Sequence, residues 1–132
     1  MTIYSPWKVL ATTEKNREYI ALLSYLPLNK YRAIPRFIGF STQIQKQFQS
    51  TPGVIGYAMR AQVLSRDFWT LSVWEDEAAL MDFVSKIPHG EVMKALAHDM
   101  GRTKITRWKV AGSALPLRWD EVVQRSHQGV QT

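Results

Sequence analysis

The segment Glu18–Leu26, EYIALLSYL, constrains what this chain can fold into more than any other stretch. It is a nearly continuous apolar run, too short for a typical helix, and reads as a strand. Such a run points to burial on both faces. The fold must therefore supply a layer above this strand and another below it. Pro27, Asn29 and Lys30 end the run, because proline and turn formers interrupt regular structure.

The next segment changes period. Ile34, Phe37, Ile38, Ile44 and Phe48 fall at offsets of 0, 3, 4, 10 and 14, which map onto one helix face. Pro35 is tolerated only in a first turn, so the helix starts near Ile34. Gln43, Gln45, Lys46, Gln47 and Gln49 are expected on its solvent side, with Ser50, Thr51, Pro52 and Gly53 ending it. Gly53–Leu64 then alternates as a strand, with Ile55, Tyr57, Met59, Ala61 and Val63 on one face. Gly56, Ala58, Arg60 and Gln62 occupy the other. A glycine inside a strand marks a bulge or a close approach, and a packed helix is the expected neighbour of Gly56.

Ser65, Arg66 and Asp67 predict a hairpin turn into Phe68–Trp74. That strand separates Phe68, Thr70, Ser72 and Trp74 from Trp69, Leu71 and Val73. Asp76 is the expected N-cap of a helix carried by Ala78, Ala79, Leu80, Met81, Phe83 and Val84. Pro88 interrupts it, a second helical piece is predicted over about 89–100, and Gly101 suits its C-terminal cap. Thr103–Val110 is the last strand.

The order strand, helix, strand, strand, helix, strand predicts an α+β, ferredoxin-like βαββαβ fold with both helices on one face of an antiparallel sheet. The expectation is a single domain over 1–132, with its core at about 18–112. Residues 1–17 form an arm or edge strand, since Pro6 excludes a central place. Residues 113–132 form a tail in which Leu117, Trp119, Val122 and Val123 suggest a short docking helix. The second sheet face remains to be covered. Phe68, Trp74 and Trp108 are expected to enlarge its apolar surface, and such a patch signals an interface. Two sheets packed face to face in a twofold homodimer give the simplest closure.

Composition excludes several function classes. A 132-residue chain with 45% hydrophobic residues sustains a core. No apolar run approaches about 18 residues, and the N-terminus lacks a basic flank followed by an apolar stretch, so a cytoplasmic protein with no membrane partner is expected. The chain has no cysteine, which removes disulfides, thiol nucleophiles and thiolate metal sites. A net charge of +6 favours anionic partners. The 17 Lys and Arg residues are nevertheless scattered, a pattern that argues against nucleic acid. No phosphate-binding loop, serine elbow or Glu-based zinc motif occurs. His89, His98 and His127 lack the spacing of a helical metal pair, so no metal site is expected.

The run Trp74-Glu75-Asp76-Glu77-Ala78-Ala79 ends a strand in Trp-Glu and opens an acidic, alanine-rich helix. With Pro88-His89 and Arg107-Trp108-Lys109-Val110, it resembles the dimeric α+β-barrel monooxygenase superfamily, which includes antibiotic-biosynthesis-monooxygenase-like and spheroidene-monooxygenase-like proteins. The resemblance covers roughly residues 18–112. It implies a pocket between sheet and helices, and oxidation of a small hydrophobic aromatic or isoprenoid-like molecule with no cofactor or with haem. A cofactor-free reaction would draw on the substrate's own electron-rich anion. Because members share a scaffold and differ in chemistry, the alternative is a non-catalytic ligand-binding or stress-response dimer. The haem-degrading branch uses a helical Trp and a His ten residues later. The matching positions here are Phe83 and Met93, so that chemistry is not expected.

His89 is the candidate catalytic residue, as acid-base group or ligand, because imidazole titrates near neutrality and a helix-opening position faces a cleft. Tyr57 and Arg60 are candidates for orienting an oxygenated ligand. Trp74, Phe83 and Met93 are candidates for shaping the pocket. Trp69 and Trp74 sit on opposite strand faces and cannot line the same side. Asp76 and Glu77 are explained by capping.

Overall fold

A computed structural model describes residues 2–5, 7–85, 94, 100, 101, 103–115, 117, 119 and 122. Two short strands, β1 (Thr2–Tyr4) and β2 (Lys8–Val9), precede β3 (Glu18–Pro27), α1 (Ile34–Gln49), β4 (Val54–Gln62), β5 (Asp67–Trp74), α2 (Glu77–Val84) and β6 (Lys104–Ala111). The sheet runs β1-β4-β5-β3-β6, with β2 also on β4, and every pairing is antiparallel. This is the predicted ferredoxin-like βαββαβ arrangement, with the arm added to the edge of β4. Among the described residues no helix is long and apolar enough to cross a membrane.

β3 lies between β5 and β6, which accounts for its two-sided apolar sequence. Tyr19, Ala21 and Leu23 point into one cluster, and Ile20, Leu22 and Leu26 pack into the helix layer. Asp76 caps α2 as its sequence predicts, its Oδ1 accepting a 2.8 Å hydrogen bond from the Ala79 amide. The amide of Gly101 donates to the Pro27 carbonyl at 2.9 Å, and Met100 bridges Leu28. The chain after α2 is thereby tied to the end of β3. Apart from Lys94, which is helical, and Met100, the predicted second helical piece lies outside the described residues.

The buried stripe of α1 is rotated from its predicted position. Phe37 and Phe48 are buried, but Ile38 is 55% exposed and Gln47 only 9%. At about 100° per residue, Phe40 and Gln47 fall on one flank of the Phe37–Ile44–Phe48 line and Ile38 on the other. Phe40 packs into the cluster of Phe37 and Phe68. Packing that half-buried ring against the cluster places Gln47 inward and Ile38 towards solvent.

β4 also departs from strict alternation. Val54 pairs with Trp74 and Gly56 with Val73, so a bulge absorbs Ile55. One extra residue reverses the facing of everything before it relative to everything after it. Ile55 therefore joins Tyr19 and Val73, while Tyr57 joins the helix layer. Met59 confirms the later parity, accepting contacts at sulfur from Ser41 and Gln45 of α1. The body close to Gly56 is the arm, where a helix was expected: a Cβ there would lie 2.6 Å from the Trp7 ring and 2.8 Å from the Lys8 carbonyl.

The second sheet face carries different residues from those expected. Phe68 and Trp74 belong to the helix layer, and Trp108 alone of the three lies on the second face. That face is covered by the chain itself, through Trp7, Ala11, Leu115, Leu117, Trp119 and Val122. Trp119 and Val122 are helical and dock as the tail sequence suggests.

Gly56→Ala should lower the unfolding free energy by about 1–3 kcal/mol, because the added methyl meets an already seated indole. Urea denaturation measures this, and a change within about 0.5 kcal/mol, typical of an ordinary surface site, would mean that Trp7 does not occupy that position.

Candidate aromatic site

The site grows from the bulge in β4. Beyond it, Tyr57 stands opposite Ser72 of β5 and faces the helices. Ser72 and Trp74 are two residues apart on one strand and so share that face. The Trp74 indole N–H donates to Ser72 Oγ at 2.8 Å, with both groups buried. Trp74 therefore has its polar edge satisfied within the protein.

Phe48 of α1 is the hub of the aromatic layer. Its ring centroid is 4.8 Å from Tyr57, 4.9 Å from Phe83 and 5.9 Å from Trp74, and Trp74 lies 5.0 Å from Phe83. These separations fall in the range where aromatic pairs attract beyond simple burial. The structure thus brings together three of the predicted site residues, Tyr57, Trp74 and Phe83, around a fourth that the sequence identified only as core.

Two polar groups interrupt this apolar layer. Tyr57 is 2% exposed, and its buried hydroxyl has no hydrogen-bond partner among the described residues. Gln47, adjacent to the hub residue in α1, has both its amide oxygen and nitrogen buried with no partner among the described residues. Leaving a buried polar group unsatisfied costs about 1–3 kcal/mol. Nothing in the sequence separates Gln47 from Gln43, Gln45 and Gln49, and periodicity alone places it in solvent.

Arg60 does not join the site. It is three residues from Tyr57, an odd spacing that turns it to the other sheet face. There its guanidinium lies 4.3 Å from the Trp69 ring centroid and 5.7 Å from that of Tyr4. Its Nε is buried without a hydrogen-bond partner among the described residues. His89 and Met93 lie outside the described residues.

On that second face, the Tyr25 hydroxyl donates to Asp67 Oδ1 at 2.5 Å. Burial, reinforced by the carboxylate, pushes the Tyr25 phenol up to about 12 from its ordinary 10.0. The folded state thus holds the proton more tightly than the unfolded chain. The associated stability is fully present below about pH 10 and is lost as pH rises towards 12.

No family model and no curated protein sequence matches the chain. Solved structures do. SnoaB, a cofactor-independent oxygenase from Streptomyces nogalater, superposes with a TM-score of 0.61 at 15% identity, covering 76% of this chain and 100% of that one. An antibiotic biosynthesis monooxygenase gives 0.62 at 12% identity, covering 67% and 95%. Protein SO0527 from Shewanella oneidensis gives 0.63 at 13% identity, covering 80% and 97%. At these identities the likeness is one of fold alone.

Ser72→Ala should cost about 1–3 kcal/mol in chemical denaturation, since it strands the buried Trp74 N–H. Unchanged stability would show that this hydrogen bond is not formed. Ultraviolet titration of the tyrosines should show one phenol ionising near pH 12, and Asp67→Asn should move that midpoint down. A midpoint unaffected by the substitution would remove Asp67 as a cause.

Proposed function

We propose that this protein, built on the fold of the antibiotic-biosynthesis-monooxygenase-like proteins, binds a small hydrophobic aromatic molecule on the helix side of its sheet and oxidises it. The observation that carries this reading is the Tyr57 hydroxyl, buried in the cluster of Phe48, Trp74 and Phe83 with no partner among the described residues. An aromatic ligand would stack against these rings. Its phenolate or carbonyl oxygen would accept from Tyr57, and the cost of that orphan hydroxyl would be recovered only in the complex. Stacking favours an aromatic over an isoprenoid ligand.

SnoaB is described as cofactor-independent, which supports a reaction in which the substrate's own electron-rich anion is oxidised directly by dioxygen, the oxidant. In that scheme Tyr57 holds the substrate oxygen and the aromatic layer excludes water. His89, just beyond α2 in sequence, is assigned the proton transfer because imidazole exchanges protons near neutral pH. The described residues do not support the haem-degrading branch's chemistry. Phe83, at the position where the haem-degrading branch carries Trp, is a phenyl packed 4.9 Å from Phe48, with no N–H to offer.

Thermal shift and oxygen uptake with a hydroxylated anthrone test the reading. Tyr57→Phe should stabilise the ligand-free protein by about 1 kcal/mol and weaken binding by roughly tenfold. Destabilisation of the ligand-free protein would show that the hydroxyl already has a partner, and the reading would fall. Binding without oxygen uptake would assign the site to a non-catalytic ligand-binding protein.

A further inference from the structure

Charge is divided along this chain in a way that its scattered Lys and Arg residues conceal. No Asp or Glu occurs between residues 19 and 66. That segment holds six basic residues, Lys30, Arg32, Arg36, Lys46, Arg60 and Arg66. The other eleven Lys and Arg residues are matched by all 11 acids of the chain. The whole net charge of +6 therefore comes from one stretch.

The fold fixes part of that charge at one end of the sheet. The connection from β3 to α1 carries Lys30 and Arg32, and the β4–β5 hairpin carries Arg66. These two segments are fastened together. Leu28 N–H donates to the Arg66 carbonyl at 2.9 Å, and Arg66 Nε donates to the Leu28 carbonyl at 3.1 Å. The Tyr31 hydroxyl donates to the Leu64 carbonyl, and the Arg66 guanidinium lies 4.6 Å from the Tyr31 ring centroid. Arg66 has a φ of +62°, a left-handed conformation uncommon outside glycine, and these contacts hold it there. Lys30 and Arg32 are exposed, with no carboxylate partner among the described residues. Asp67, which follows the hairpin, is engaged on the second face by Tyr25.

The same end exposes large apolar side chains. α1 and β4 run in opposite directions, with Ser41 and Gln45 on Met59 and Tyr31 on Leu64. Ile38 and Val63 lie between these two fixed points. Leu64 is 73% exposed, Ile38 55% and Tyr31 53%. Packing does not require them, since Phe37, Phe40 and Ile44 fill the cluster beneath. Apolar side chains rimmed by cations match the layering of a membrane surface, where anionic phosphates lie above acyl chains. Tyrosine also favours that level. A nucleic acid would meet the charges but leave Leu64 and Ile38 in water. It would also need open stacking rings, and Arg66 already covers Tyr31.

We propose that this end of the molecule docks on a membrane surface rich in anionic phospholipid. Leu64, Ile38 and Tyr31 enter the headgroup region, and Lys30, Arg32 and Arg66 meet the phosphates. The expectation of no membrane partner rests on the lack of a spanning segment, and surface docking needs none.

Flotation of the full chain with phosphatidylcholine vesicles containing about one-third phosphatidylserine should recover it with the lipid at about 0.1 M salt. Vesicles of phosphatidylcholine alone should not. Arg32→Glu, which reverses a charge, should weaken the affinity roughly tenfold, and Leu64→Ser should do so by a similar factor. Lys109→Glu makes the same change in net charge at an exposed position towards the other end of β6, and should leave binding within about twofold. All three side chains are exposed, so each variant should fold as the parent does. No recovery with anionic vesicles, equal losses from Arg32→Glu and Lys109→Glu, or binding indifferent to Leu64→Ser overturns the proposal. Tighter binding to a single-stranded RNA oligonucleotide than to the vesicles also overturns it, and would assign the patch to nucleic acid.

Discussion

The whole structure depends on burying β3 from both sides. A strand flanked by β5 and β6 has no free edge for water, and its side chains alternate between two layers that must each be dry. Tyr19, Ala21 and Leu23 require one cover, and Ile20, Leu22 and Leu26 require another. Two amphipathic helices meet the second demand. For the first, the chain uses segments that flank the βαββαβ core at either end. Trp7 from the arm and Trp119 and Val122 from the tail meet over the same apolar cluster.

A single inserted residue decides how these layers are populated. The bulge at Ile55 sends that side chain to the second face, and its carbonyl receives the Leu10 and Ala11 amides of the arm. The same insertion aims Tyr57 at Phe48. Without it, Tyr57 would share a face with Ile55, as plain alternation suggests. One backbone irregularity thus positions both the closing arm and the candidate ligand-binding phenol. This agrees with the tendency of bulges to re-aim side chains near functional sites.

Within the aromatic layer, polar satisfaction distinguishes scaffold from site. Trp74 and Ser72 satisfy each other and lock the end of β5. The Tyr57 hydroxyl lies in that dry region with no partner among the described residues. In a low-dielectric interior, paired groups rigidify and unpaired ones remain costly. Trp74 is therefore read as framework, and Tyr57 as the group whose hydrogen bond awaits a ligand. The structures sharing this fold set the architecture in which such a site sits, and the chemistry rests on the residues themselves.

Much of the fold was legible in local pattern. The β3 run, the start of α1 at Ile34 beside Pro35, the Asp76 cap and the β4–β5 hairpin each follow from short-range sterics and hydrogen bonding, which a sequence displays directly. Tyr57, Trp74 and Phe83 were each legible as pocket candidates, but their meeting was not, since Trp74 is expected on the second face and the bulge sets the facing of Tyr57. Tertiary structure alone decided the facing of Ile55, the burial of Gln47, the exposure of Ile38 and the separation of Arg60 from the site. A bulge changes parity without a distinctive residue code, and a helix's rotation is set by which large rings its neighbours accept. The covering of the second face was the least legible feature, because arm and tail are far apart in sequence and become one layer only after the sheet has formed between them.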